Sequence, residues 1–203
     1  MVAVKRKVTA EALYAKAGNL VTEASDLIMN TAEMLADRKG RYARAQELAE
    51  NRTKILEDRI KTTRAEYRRD PEHADRYETS IEKQRIILGA FEKTAEVASK
   101  ALKEVGEIQS DLGVLTTGIE TVSMALYGKE QRFAGPKTIS KTMGSTADYM
   151  KDTAERLVRH DKSLAAQYVK VAEQMEKVSD LLKKAAPPAK QAAKAKAEAE
   201  ATA

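Results

Sequence analysis

Between Pro71 and Tyr127, apolar or small residues return every three or four positions: Ala74, Tyr77, Ile81, Leu88, Phe91, Ala95, Ala98, Leu102, Val105, Leu112, Ile119 and Leu126. Only Gln84, Gln109, Thr116 and Ser123 interrupt the ladder. A seam with that spacing over so many turns leaves little choice of fold: it is a long helix packed along other helices. The spacing therefore predicts an all-α chain in which the other helices are laid against this one.

The preceding segment keeps a heptad phase of its own. One row reads Tyr14, Val21, Ile28, Leu35, Tyr42, Ala49, Leu56, and the row beside it Leu13, Leu20, Leu27, Met34, Arg41, Leu48, Ile55. A third row of small residues holds Ala10, Ala17, Ala24, Thr31 and Ala45. Three adjacent rows make a stripe wide enough for at least two partners. Thr9 can cap the start, and the phase passes through Gly40 without a slip, so one helix over about 9–69 is expected. The alternative is two helices broken at Gly40, since glycine commonly terminates helices.

At Asp70-Pro71 the chain should reverse. Asp suits an N-cap, Pro suits the first helical position, and the residue before Pro disfavours helix. The second helix then covers about 71–127. Gly128, Gly135-Pro136 and Gly144-Ser145 punctuate a loop over 128–145. A last helix over about 146–185 carries Ala147, Met150, Ala154, Leu157, Asp161, Leu164, Tyr168, Val171, Met175, Val178 and Leu182 and stops at Pro187-Pro188. Counted back along an antiparallel pairing, Leu182 should lie near Phe91.

The domain organisation read this way is a basic arm over 1–8, a helical coiled-coil domain over 9–185 and a low-complexity tail over 186–203. The fold class is all-α: an elongated antiparallel three-helix coiled-coil bundle with a disordered or frayed Ala/Lys-rich C-terminal tail. With 33% charged and 4% aromatic residues, the composition suits narrow seams and wide solvated faces.

Two classes of chemistry find no support. There is no Cys, and two His make a structural zinc site improbable. No Glu-x-x-His repeat is present for a di-iron centre. His73 stands near the expected turn and His160 beside Asp161, neither with a nucleophile close in sequence. Gly128 to Thr138 has the wrong spacing for a phosphate loop, and Pro136 precedes its lysine. The expectation is a protein that is not an enzyme, with no metal, cofactor or small-molecule substrate. No secretory leader or membrane span is read, and a cytoplasmic protein, with attachment at a membrane surface one of its readings, is expected.

Charge says more. From Arg38 to Arg69 eleven basic residues face five acidic ones, while the whole chain is only +5. The residues expected to meet an anionic surface are Arg59, Lys61, Arg64, Arg68 and Arg69, joined by Lys129, Arg132, Lys137 and Lys141 around Phe133. The bland reading is a solvated face; the other is an anionic partner. The run Ile86, Ile87, Leu88, with Phe91, cannot all point into a helix pair; either the C-terminal tail folds over them or they meet a second subunit. The expectation taken is that these four residues mediate self-association. A homodimer or higher homo-oligomer follows.

Helices of these lengths over residues 9 to 185, with the turn Tyr67-Arg-Arg-Asp-Pro71 and the basic loop with Phe133, resemble the architecture of BAR domains. Bacterial phage-shock-type helical hairpins are similar in layout. The resemblance implies a homodimer whose curved basic face shapes membranes, with residues 1–12 as an amphipathic anchor. Competing readings are a structural component of a filament, virion or secretion apparatus, and electrostatic packaging of nucleic acid.

Overall fold

The computed structural model describes residues 9–127 and 135–185, and among them the protein is all-α with no strand. Helix α1 spans Ala10–Arg69, α2 Ala74–Tyr127, α3 Pro136–Leu157 and α4 Lys162–Ala185. A single 3₁₀ turn, Pro71–His73, joins α1 to α2. Thr9 caps α1, its Oγ1 accepting from the Ala12 N–H at 3.3 Å. The helix continues through Gly40, as the unbroken heptad phase predicts.

The expected three helices are four. Residues 136–145, read as loop, form the first turns of α3, where Ile139, Ser140 and Met143 are buried. Pro136 occupies the first turn, where its missing N–H costs nothing, and Gly135 precedes it in extended backbone (φ −65°, ψ 164°). Gly144 does not break the helix; a Cβ there would meet only Ser179 Oγ at 3.5 Å, an ordinary contact. The expected helix over 146–185 is in turn divided at 158–161. The Leu157 carbonyl accepts from both His160 N–H and Asp161 N–H at 2.8 Å. Asp161, assigned by spacing to the seam, instead caps α4, its Oδ1 accepting from the Leu164 N–H at 2.9 Å.

The chain forms two compact units, and α1 and α2 run through both. The first contains residues 9–32, 110–127 and 135–185, a four-helix bundle with an up-down-up-down course. Its neighbours are recorded by contacts around the ring. Gly18 of α1 abuts Tyr127 of α2, and Gly118 of α2 abuts Thr146 of α3. Ser140 of α3 and Ser179 of α4 each donate a hydroxyl to the other's backbone carbonyl at 2.8 Å. Tyr168 of α4 returns to Thr31 of α1 at 2.9 Å. Heptad rows Met143, Met150, Leu157 and Tyr168, Met175, Leu182 have no solvent exposure and fill the centre with Leu13, Leu20, Leu27, Leu115 and Val122. Lys151 and Glu176 pair across α3 and α4 at 2.6 Å. That hydrogen bond holds the lysine above its ordinary range.

The second unit, residues 33–109, is an antiparallel helical hairpin. Lys39 Nζ donates to Gln109 Oε1 at 3.4 Å, and the Tyr67 and Tyr77 rings meet with centroids 6.3 Å apart. The chain thus reverses at Asp70-Pro71 as expected. Its buried apolar residues are Leu35, Ala49, Leu56 and Ile60 on α1 and Ala98, Val105 and Ile108 on α2. Thr53 Oγ1 and Gln84 Oε1 are buried there without a hydrogen-bond partner, which weakens this thinner core. Leu182 belongs to the bundle and Phe91, its expected neighbour, to the hairpin; within the bundle α4 packs on α3 and α1.

Close approach explains one glycine. A Cβ on Gly118 would lie 2.8 Å from Oγ1 of Thr146, which is buried and donates to the Thr142 carbonyl at 2.9 Å. At Gly113 nothing lies within 4 Å. Gly113→Ala should therefore stabilise by about 0.5–1 kcal/mol through helix propensity, whereas Gly118→Ala should destabilise by about 1 kcal/mol through overpacking. Thermal denaturation of the two single variants checks the opposite signs.

Candidate functional site

The site is read from the rows of the hairpin that do not face its own core. Along α1 the inward rows are Leu35, Tyr42, Ala49, Leu56, Thr63 and, beside them, Thr53, Ile60, Tyr67, all buried or half-buried. One flank of these is formed by Arg41, Leu48, Ile55, Thr62, Arg69 and by Ala45, Arg52, Arg59, Glu66. On α2 the matching flank is Ser80, Ile87, Thr94, Ala101 together with Arg76, Lys83, Ala90, Val97. In an antiparallel helix pair, corresponding flanks of the two helices lie on the same side. The grooves agree. One of about 380 Å³ near the tip is lined by Glu66 of α1 with Arg76 and Ser80 of α2. The next, about 510 Å³, is lined by Ile55, Arg59, Thr62 and Glu66 with Gln84.

This face is basic and apolar. From residue 41 to 101 these rows carry Arg41, Arg52, Arg59, Arg69, Arg76 and Lys83 against Glu66, and Asp58 and Asp70 also line the grooves. Between them stand exposed aliphatic side chains: Leu48 is 65% exposed, Ile55 46%, Ile87 47% and Val97 59%. Arg41 also pairs with Asp37 at 2.7 Å. The other flank has the opposite character. It presents Glu47, Glu50, Glu57, Asp75, Glu78, Glu82, Glu92 and Glu96 with Lys54, Lys61, Arg64, Arg68 and Arg85, and no large apolar residue.

The cations named from sequence are distributed differently from expectation. Arg59 and Arg69 stand on the basic face. Lys61, Arg64 and Arg68 stand on the acidic flank, where spacing by three and four carries them to the other side of α1. Lys61 lies 3.3 Å from Asp58. Lys137 and Lys141 are exposed in the first turns of α3, in the bundle. Lys129 and Arg132, with Phe133, lie outside the described residues, as do the arm 1–8 and the tail 186–203. Arg41, Arg52, Arg76 and Lys83 were the cations to add. Their signal is the pair of adjacent heptad rows on each helix that also holds Leu48, Ile55, Ile87 and Val97.

The self-association quartet is divided as well. Leu88 and Phe91 are half-buried on the inward rows, Ile87 joins the basic face, and Ile86, 68% exposed, points away from α1. Consecutive residues on a helix turn by about 100°, so the three cannot form one patch.

His73 Nδ1 lies 3.1 Å from an Asp70 carboxylate oxygen at the tip, and His160 lies in the turn between α3 and α4. Among the described residues no three His, Cys, Asp or Glu side chains gather as a metal set. No helix among them is long and apolar enough to cross a membrane. The deepest polar group is Tyr168. Its hydroxyl meets Thr31 Oγ1, which already gives its proton to the Leu27 carbonyl at 2.7 Å, so the tyrosine is the donor. Burial pushes the phenol up to about 12. This is a structural bond inside the bundle. Compared with family models, curated proteins and solved structures, the chain matches none of them.

Proposed function

We propose that the protein is a non-catalytic helical scaffold that uses one face of its hairpin to bind an anionic partner. The observation that supports this most directly is the sorting of charge: the rows of one flank hold six cations and one carboxylate among exposed aliphatics, with Asp58 and Asp70 at its grooves, and the other flank has an excess of carboxylates. A merely solvated coiled coil gains nothing from such sorting, because charges of both signs hydrate equally well on either side. Cations around apolar side chains suit a partner that is itself anionic and partly apolar. Self-association belongs to the same proposal, with Ile86, 68% exposed and off the basic face, its candidate.

A second reading is peripheral attachment to an anionic membrane, as the resemblance to BAR domains implies. It is favoured by the same aliphatics, which can enter the headgroup layer while each nearby Lys or Arg adds about 1 kcal/mol.

Retention on a heparin column tests the face without assuming the partner. The variant R52E/R59E/K83E should elute at clearly lower salt than the wild type. The variant K61E/R64E/R68E, with the same change in net charge, should elute nearer the wild type. Equal shifts would mean that only total charge matters, and the proposed face would fall.

A further inference from the structure

The same heptad rows have two fates along each long helix. In α1 the row Leu13, Leu20, Leu27 is buried in the bundle, at 3 to 6% exposure, and continues as Leu48 and Ile55, at 65 and 46%, in the hairpin. In α2 the bundle residues Leu115 and Val122 of one row are no more than 1% exposed, while Ile87, four heptads before Leu115 in that row, is 47% exposed. Within the bundle the occupants of these rows are helices: Tyr168 of α4 bonds Thr31 of α1, and Thr146 of α3 packs on Gly118 of α2. In the hairpin these rows keep their spacing and aliphatics, and the rows beside them, which hold Thr31 and Gly118 in the bundle, carry Arg52, Arg59 and Lys83.

From this we infer that the hairpin face seats an amphipathic helix of a partner protein, one whose apolar seam is bordered by glutamates or aspartates. The inference rests on the anionic-partner reading above and specifies the partner. Continuity supplies the shape: two flanking rows that accept a helix against them in the bundle have the same period and handedness in the hairpin. Charge supplies the selectivity. A basic or neutral helix would bring cations against Arg52 and Arg59, whereas an acidic one pairs with both. A second copy's basic face is disfavoured for the same reason. A nucleic acid would leave Leu48, Ile55, Ile87 and Val97 without an apolar counterpart.

The test uses the full chain and two labelled synthetic helices about four heptads long, with identical Leu/Ile seams. One carries Glu and the other Lys at the bordering positions, and binding is read by fluorescence anisotropy. The wild type should bind the Glu helix, and R52E/R59E should bind it at least roughly tenfold more weakly. The same variant should bind the Lys helix more tightly than the wild type does. This exchange of preference also shows that the variant is folded. Indifference of the wild type to both helices, or equal binding of the Glu helix by wild type and variant, would overturn the inference. Sedimentation with phosphatidylserine vesicles that the variant loses, without binding of the Glu helix, would assign the face to a membrane and leave the anionic-partner reading standing. Loss of selectivity on heparin would remove both.

Discussion

Leu157→Ala should cost about 4 kcal/mol and Leu56→Ala about 2 kcal/mol, read from chemical denaturation followed by circular dichroism. The chemistry removed is the same, so any difference comes from the surroundings. Leu157 has no exposed surface and belongs to the four-helix core that also buries Met150 and Tyr168. Removing three side-chain carbons there leaves a cavity that helices fixed on several sides cannot close. Leu56, at 8% exposure, lies in a seam between two helices. Side chains at its edges can relax inward, and water can reach the gap. Equal costs would show that the hairpin seam is as tightly walled as the bundle.

Raising the pH from 10 to 12 should remove about 2–3 kcal/mol of stability through Tyr168 alone. Its folded pKa stands near 12 against an ordinary 10, because burial disfavours the phenolate. The folded state therefore holds this proton over a range in which the unfolded chain releases it. By linkage, the contribution is fully present below pH 10 and is lost as pH rises through the folded value. Tyr168→Phe has no such proton to lose. At neutral pH the variant should be about 1 kcal/mol less stable, for the missing bond to Thr31. At pH 12 the order should reverse. Subtracting the two proteins cancels lysine titration, and curves that stay parallel across this range would place Tyr168 in contact with solvent.

Most of the helical content was legible in the sequence. The period of α1 and α2 read directly, Thr9 announced the first cap, and Asp70-Pro71 announced the reversal. Residues 136–161 misled for identifiable reasons. Gly135-Pro136 reads equally as a loop or as the entry to a helix, and the burial of Ile139 and Met143 decides for the helix. Asp161 fits a seven-residue spacing and also an N-cap; a carboxylate cannot be buried at a seam without a partner, and the Leu164 N–H is available to it at the turn.

The site was half legible. The cationic excess of α1 was plain, yet a count along the chain cannot tell one side of a helix from the other. Arg59 and Lys61 are neighbours in sequence and belong to opposite flanks.

The sequence by itself determined the helices, because periodicity is a local property that each turn states again. Only the tertiary structure decided which rows are covered. One row of α1 runs from Leu13 to Ile55, apolar except at Arg41, and is buried where α3 and α4 complete a bundle and exposed at Leu48 and Ile55 where the hairpin has two helices. Burial depends on what the rest of the chain brings alongside, and no residue encodes that alone.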